Sequence, residues 1–171
     1  MLNREEIIKR IKDNNLAEGL IDSATQITPN GLDLTAASVS EFDSAGALDF
    51  SNKERVLPQG KELALQKDHP QDKFGWWALK PGIYKIKTNE TVTIPKDLTA
   101  IAFTRTSLLR MGAFTQHGVW DAGFKGKSEF IMVVSNPYGL RLKQNARVAQ
   151  LVFFPINETK EGYQGIYQDK K

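Results

Sequence analysis

Leu79-Lys80-Pro81-Gly82-Ile83-Tyr84-Lys85-Ile86 reads as strand, turn, strand. Pro81-Gly82 supplies the turn, and beyond it Ile83 and Lys85 alternate in face with Tyr84 and Ile86. Downstream, Thr91-Val92-Thr93-Ile94 is another β-branched run, closed by Pro95. Leu98 to Phe103 is apolar enough for a buried strand, and Val119-Trp120, Phe130 to Val134 and Val148 to Phe154 read as core strands. Upstream, Gly31 to Val39 is strand-like, whereas residues 43–60 and 66–75 are polar and mixed and read as loops or irregular edge strands. Many short strands, closely spaced and punctuated by Gly, Pro and Asn, predict an all-β barrel or sandwich.

Helix is expected near the N-terminus, over about residues 3–14. Asn3 with Glu6 forms a capping box, Ile7, Ile8 and Ile11 share one face, and Asn14 and Asn15 suit the stop. Thr106 to Met111 has room for one further helical turn. No repeat or low-complexity tract interrupts what reads as one domain over residues 1–156. The polar, glycine-containing segment 157–171 is expected to be a mobile tail.

Composition narrows the chemistry. The 171 residues are 40% hydrophobic and 25% charged, an ordinary globular balance that can bury a core. Cysteine is absent, which excludes disulfides and thiolate catalysis, and with two histidines, His69 and His117, a zinc deaminase of the His/Cys/Cys type is excluded too. A net charge of +3 is too mild to argue for a nucleic-acid partner but does not oppose an anionic small substrate. No apolar run reaches membrane-spanning length and no signal-peptide stretch opens the chain, so a cytoplasmic protein with no membrane partner is expected.

Four clusters could carry chemistry. Pro29-Asn30-Gly31-Leu32-Asp33-Leu34 sets an acid between apolar residues after a turn. Thr104-Arg105-Thr106-Ser107-Leu108-Leu109-Arg110 sets hydroxyls between two guanidinium forks, a combination suited to phosphate oxygens. His117-Gly118-Val119-Trp120-Asp121-Ala122-Gly123-Phe124-Lys125-Gly126 surrounds one acid with three glycines, which predicts a tight hairpin where backbone approaches a ligand. Arg147-Val148-Ala149-Gln150 places two polar side chains ahead of an apolar strand. Taken singly, each has a bland reading: a turn acid, a capped helical turn, a loop, an edge strand. Their order along the chain carries the weight.

In that order the segments resemble the motifs of the trimeric dUTPases and the related dCTP deaminases. Gly31-Leu32-Asp33-Leu34 looks like the first motif and Arg105-Thr106-Ser107-Leu108 like the second. Gly118 through Gly126 looks like the third, the nucleoside-binding hairpin, and Asn145-Ala146-Arg147-Val148-Ala149-Gln150-Leu151 like the fourth. Tyr163-Gln164-Gly165-Ile166-Tyr167-Gln168 stands where the fifth lies. The likeness is strongest to the archaeal dUTPases within the dCTP deaminase family, and it covers roughly the whole chain.

The resemblance implies a distorted jelly-roll (β-clip) barrel, a homotrimer with sites shared between subunits, and hydrolysis of dUTP to dUMP and pyrophosphate. Asp121 would activate the attacking water. Arg105, Thr106, Ser107, Arg110 and Gln150 would hold phosphates. The hairpin, with Gly118 and Val119, would read the base by its backbone, and Phe124 would stack on the deoxyribose. Tyr163 and Gln168 would close over the site of another subunit. Asp33 and Arg147 would support the site, with Asp33 either pairing with an arginine or holding a metal-bound water. Mg2+ would be the cofactor, held mainly by substrate phosphates and water rather than by a protein cage.

Two alternatives belong beside this. The N-terminal helix, Arg110 and the Asp121-Ala122-Gly123-Phe124-Lys125-Gly126 run lean toward the deaminase branch, whose catalytic glutamate follows the hairpin aspartate by ten residues. That position is Ile131, counting back from Asn136 gives Val133, and the tail has Ile166 where the deaminase branch commonly has lysine. A register shift would bring Glu129 into play, in a dCTP deaminase or a bifunctional enzyme. The other alternative is a nucleotide-binding regulatory module without turnover.

Overall fold

The computed structural model describes residues 1–169. Along the chain come α1 (Arg4–Asn14), β1 (Ala17–Glu18), α2 (Ser23–Gln26), β2 (Ile27–Thr28), β3 (Gly31–Glu41), β4 (Lys61–Glu62) and β5 (Trp76–Leu79). Then follow β6 (Gly82–Thr93), β7 (Leu98–Thr104), α3 (Thr106–Arg110), β8 (Ala113–Gln116), β9 (Lys125–Val134), β10 (Leu140–Lys143) and β11 (Arg147–Pro155). The expected all-β architecture is what forms. A nine-stranded antiparallel sheet runs β7-β11-β3-β6-β9-β8, with β1 added to β6 and β2 and β4 to β3.

The sheet curls until its two end strands meet. Thr104 on β7 accepts the Thr115 N–H of β8 through Oγ1 at 2.9 Å, and the same hydroxyl lies 2.9 Å from the Thr115 carbonyl, to which it donates. Ala100 and Trp120 exchange backbone bonds of 3.0 and 2.9 Å beside them. Inside lie Leu32, Leu34, Ile86, Leu98, Met132, Leu151 and Phe153, all fully buried, as the inward half of each strand's alternation requires.

The strand, turn, strand reading at Leu79 to Ile86 holds, with β5 ending at Leu79 and β6 beginning at Gly82, although the two strands pair elsewhere, β5 with β10 and β6 with β3 and β9. Two expectations need correcting. Thr91 to Thr93 is not a separate strand but the end of β6, past a register shift between Lys87 and Thr91. Val119-Trp120 is not a core strand, because Trp120 makes only an isolated bridge to Ala100 and Val119 is 58% exposed.

Thr88 and Glu90 both face inward, in step with Tyr84, Ile86 and Val92 along β6. The Glu90 carboxylate accepts from Thr35 N (3.0 Å), the Thr35 hydroxyl and Gln26 Nε2 (2.7 Å). Gln26 Nε2 also donates to the Asp33 carbonyl at 2.9 Å, while its Oε1 accepts the Ile21 and Asp22 N–H groups. Burial pushes the Glu90 carboxyl above its ordinary range, against these donors. The network fixes β3 and α2 directly behind Asp33.

Helix α1 forms with the expected capping box, Asn3 and Glu6 bonding reciprocally at 2.8 and 2.9 Å, and Asn15 ends it in the left-handed region at φ 51°. Ile7 is fully buried against the barrel, with Ile8 and Ile11 packed beside it. Arg10 pairs with Asp97 through two bonds. No helix among the described residues is long and apolar enough to cross a membrane.

Candidate functional site

Strand pairing assembles the first, second and fourth motifs. In β11 the register against β3 shifts between Arg147 and Ala149, and Gln150 falls opposite Asp33. Arg105 leaves the end of β7, where its N–H bonds the Val148 carbonyl and its Nη1 the Arg147 carbonyl. As a result Arg105 Nε and Arg147 Nη1 each lie 3.0 Å from the same oxygen, Asp33 Oδ2. Asp33 is 2% exposed. Burial pushes its carboxyl upward, and the two guanidinium groups oppose that shift. Of the two roles expected for Asp33, pairing with arginine is the one formed.

Around this ion pair the other phosphate candidates are arrayed outward. Thr106, Ser107 and Arg110 are exposed along α3, whose first turn has no side-chain cap. Gln150 is half-buried, and one amide proton goes to the Thr28 hydroxyl at 2.6 Å.

The third motif lies on a second centre. The turn is closed by Phe124 N–H to the Asp121 carbonyl (3.1 Å), and Trp120 Nε1 donates to Ser128 Oγ (2.8 Å), which pins the turn to β9. The Asp121 side chain is exposed, with no ion pair among the described residues. It borders a cavity of about 710 Å³ with Gly118, Val119 and Phe124 on its own side. Glu129 and Ile131 line the floor, being on the outward face of β9. The position ten residues beyond Asp121 therefore presents an isoleucine to the cavity.

Two glycines of the turn differ in their surroundings. Gly123 has φ +83°, and a Cβ there would meet Gly162 Cα at 2.6 Å. A Cβ at Gly118 would meet nothing within 4 Å. Gly123 is therefore required by its own conformation and by the tail.

That tail lies on the hairpin of the same chain. Tyr163 N–H bonds the Ala122 carbonyl at 2.8 Å, and its ring meets Phe124 edge-on at 5.6 Å. The Gln168 carboxamide accepts from Lys125 N (3.1 Å) and donates to the Gly123 carbonyl (3.1 Å).

Asp121 and the Arg105 cluster are not united within one chain: Arg105, Thr106, Ser107, Arg110 and Gln150 are all missing from the cavity wall. The cavity instead includes Phe42, Leu57, Pro58, Gln59 and Lys85, none of them anticipated. Leu57-Pro58, an apolar pair inside a polar loop, was the one local hint. His117 stands at the start of the third motif. Its ring sits 4.5 Å from Phe130 and 5.9 Å from Trp120, its Nε2 has no hydrogen-bond partner among the described residues, and burial lowers its pKa to about 4.

Known proteins are similar to this chain over most of its length. The dCTP deaminase-like family profile matches residues 1–156. A Methanosarcina mazei protein named probable deoxyuridine 5′-triphosphate nucleotidohydrolase is 48% identical over 172 residues, covering 99% of this chain and 97% of its own length. A protein of the same name from Archaeoglobus fulgidus is 40% identical over 168 residues, covering 98% and 95%. The deoxyuridine 5′-triphosphate nucleotidohydrolase of Methanocaldococcus jannaschii is 34% identical, covering 85% and 88%. Among solved structures, the 2′-deoxycytidine 5′-triphosphate deaminase of Agrobacterium tumefaciens shares the fold, with a TM-score of 0.66 at 18% identity over 89% of this chain and 46% of that one. With a family profile matched over residues 1–156 and relatives 34–48% identical over most of both chains, the chain belongs to the dCTP deaminase-like family.

Proposed function

We propose that the chain hydrolyses dUTP to dUMP and pyrophosphate, a reaction that keeps uracil out of DNA and supplies dUMP for thymidylate synthesis. The observation that carries this reading is Asp121, an exposed carboxylate with no ion pair among the described residues, held at the rim of a nucleoside-sized cavity. A carboxylate in that state can orient a water and take its proton as the water attacks the α-phosphorus. Phe124 supplies the face for the deoxyribose, and the hairpin backbone supplies donors and acceptors for the uracil edge.

Arg105, Thr106, Ser107, Arg110 and Gln150 suit the triphosphate, but they sit away from Asp121. A site shared between subunits resolves this: one copy offers the hairpin and its cavity, and another offers the arginine and hydroxyl cluster. A homotrimer of that kind also accounts for the apolar side chains left outside the barrel, with Ile101 40%, Phe103 58% and Phe114 38% exposed on β7 and β8.

The donor set fits a hydrated Mg2+ that keeps most of its ligands from phosphate and water. Asp121 and Glu129 are the exposed carboxylates on the cavity wall that could hold its waters, while Asp33 is paired with two arginines. When bound with substrate, the ion neutralises phosphate charge.

The test offers dUTP and dCTP separately, with Mg2+ and with a chelator, and identifies the products by chromatography. The expected result is dUMP and pyrophosphate from dUTP, lost on chelation, with dCTP untouched. Conversion of dCTP would transfer the reading to a deaminase or bifunctional enzyme, because Glu129 is the other carboxylate on the same cavity wall. Thermal protection by dUTP without product would leave a binding module.

A further inference from the structure

Lys85 has a role that no motif predicts. It stands on β6 opposite Ile131 of β9, on the outward face that floors the cavity. Its Nζ donates to the Gln59 carbonyl at 2.6 Å and to the Pro58 carbonyl at 3.3 Å. No carboxylate forms a salt bridge with it among the described residues.

The segment it holds is otherwise unanchored. Val56 pairs with Ala47 on one side, and β4 begins at Lys61 on the other. Between them, the hydrogen bonds made by Leu57, Pro58 and Gln59 among the described residues are those from Lys85. Gly60 then reverses the chain at φ +84°, where a Cβ would meet the Glu41 carbonyl at 2.9 Å, so the return to β3 is tight. Leu57, Pro58 and Phe42 line the same cavity as Asp121 and Phe124.

We infer that Lys85 is a positioning residue for nucleoside binding: it fixes the Leu57–Gln59 segment as the apolar wall against which the nucleoside end of the substrate packs. This rests on the reading that dUTP occupies this cavity. The ammonium charge is directed at two backbone carbonyls, so its effect is on wall placement and not on phosphate. A charge-assisted bond to a carbonyl contributes enough, when lost, to change a binding constant by about tenfold.

The experiment uses the full chain with Mg2+ and compares Lys85→Met, Lys85→Arg and Leu57→Ala with the unaltered protein. Lys85→Met should raise KM for dUTP by about tenfold with kcat little changed, because wall contacts are made equally in ground and transition states. Inhibition by dUMP should weaken by the same factor, and inhibition by inorganic pyrophosphate should not change. Lys85→Arg should restore KM, and Leu57→Ala, which removes part of the wall without touching the lysine, should reproduce the KM effect. An unchanged KM in both Lys85→Met and Leu57→Ala would overturn the inference alone. Equal loss of pyrophosphate and dUMP inhibition would also overturn it, by making Lys85 a phosphate ligand. If the unaltered protein releases no dUMP from dUTP, the functional reading fails and this inference falls with it.

Discussion

Arg105 Nε lies 3.0 Å from Asp33 Oδ2, an oxygen it shares with Arg147. A buried carboxylate therefore organises two cations whose outer surfaces remain partly open. Replacing Asp33 with asparagine keeps the shape and removes the charge that holds both forks. Asp33→Asn should lower unfolding free energy by roughly 2 kcal/mol, less than for a fully dry pair because the arginines can reach solvent. It should also lower kcat/KM for dUTP. Urea unfolding and steady-state kinetics on the same preparation check both, and unchanged values in each would show that the cluster is ornamental.

The separation of Asp121 from Arg105 leads to a complementation test. Asp121→Asn and Arg105→Gln should each be nearly inactive alone. Unfolded together and refolded as mixed assemblies, they should regain activity at roughly a quarter of the sites, the fraction expected from random mixing of two halves. No recovery on mixing would mean that one chain carries the whole site.

Asp121 and Glu129 line the same cavity, so they can be separated by parallel substitution. Asp121→Asn should lower kcat by a factor on the order of 10² to 10⁴, the usual contribution of a positioned base, while calorimetry still detects dUTP binding. Glu129→Gln should leave dUTP turnover unaltered. The reverse pattern would assign the proton to Glu129.

His117 sets an acid limit on the fold. Its pKa is about 4 in the folded protein against an unfolded value near 6.5, so folding favours the neutral ring. The stabilisation is complete above the unfolded value and is lost as pH falls from about 6.5 toward 4. Solvent screening reduces the loss to roughly 2 kcal/mol. Asp33 and Glu90 act in the other direction, since their raised carboxyl pKa values favour the folded state on acidification. The informative quantity is thus a difference of slopes. His117→Leu should flatten the pH dependence of urea stability across that window, relative to the unaltered protein, on top of a pH-independent packing loss. Parallel curves would remove His117 as the cause.

How much of this was written in the sequence depends on the range of the interactions. The capping box of α1 and the α3 turn were legible because their determinants lie within four residues of one another. Parts of β9 and β11 were legible as apolar runs, Phe130 to Val134 and Val148 to Phe154, and β3 as a strand-like stretch from Gly31 to Val39. The Val119-Trp120 error has the same origin: two apolar side chains in a row resemble a strand when one fills the core and the other faces a cavity. Of the residues that the motifs named, Arg105 and Arg147 meet on the Asp33 carboxylate, and Asp121 stands at the cavity rim. Lys85 and Pro58 are 27 residues apart and meet through a bond to a backbone carbonyl, which leaves no trace in side-chain pattern. Gln26 and Glu90, 64 apart, meet only once the strands have paired, a contact between distant segments that no local pattern encodes.

Thr104 and Thr115 finally bear on how the molecule behaves in a crowded solution. A curled sheet with two unpaired margins would offer templates to which foreign strands could add. Here one hydroxyl occupies the donor and acceptor of Thr115 at the point where the margins converge, so the seam is already taken. Thr104→Val, nearly the same in volume, would leave that amide and carbonyl open. A barrel that unzips there would be expected to polymerise through its own edges on mild heating long before its interior melts.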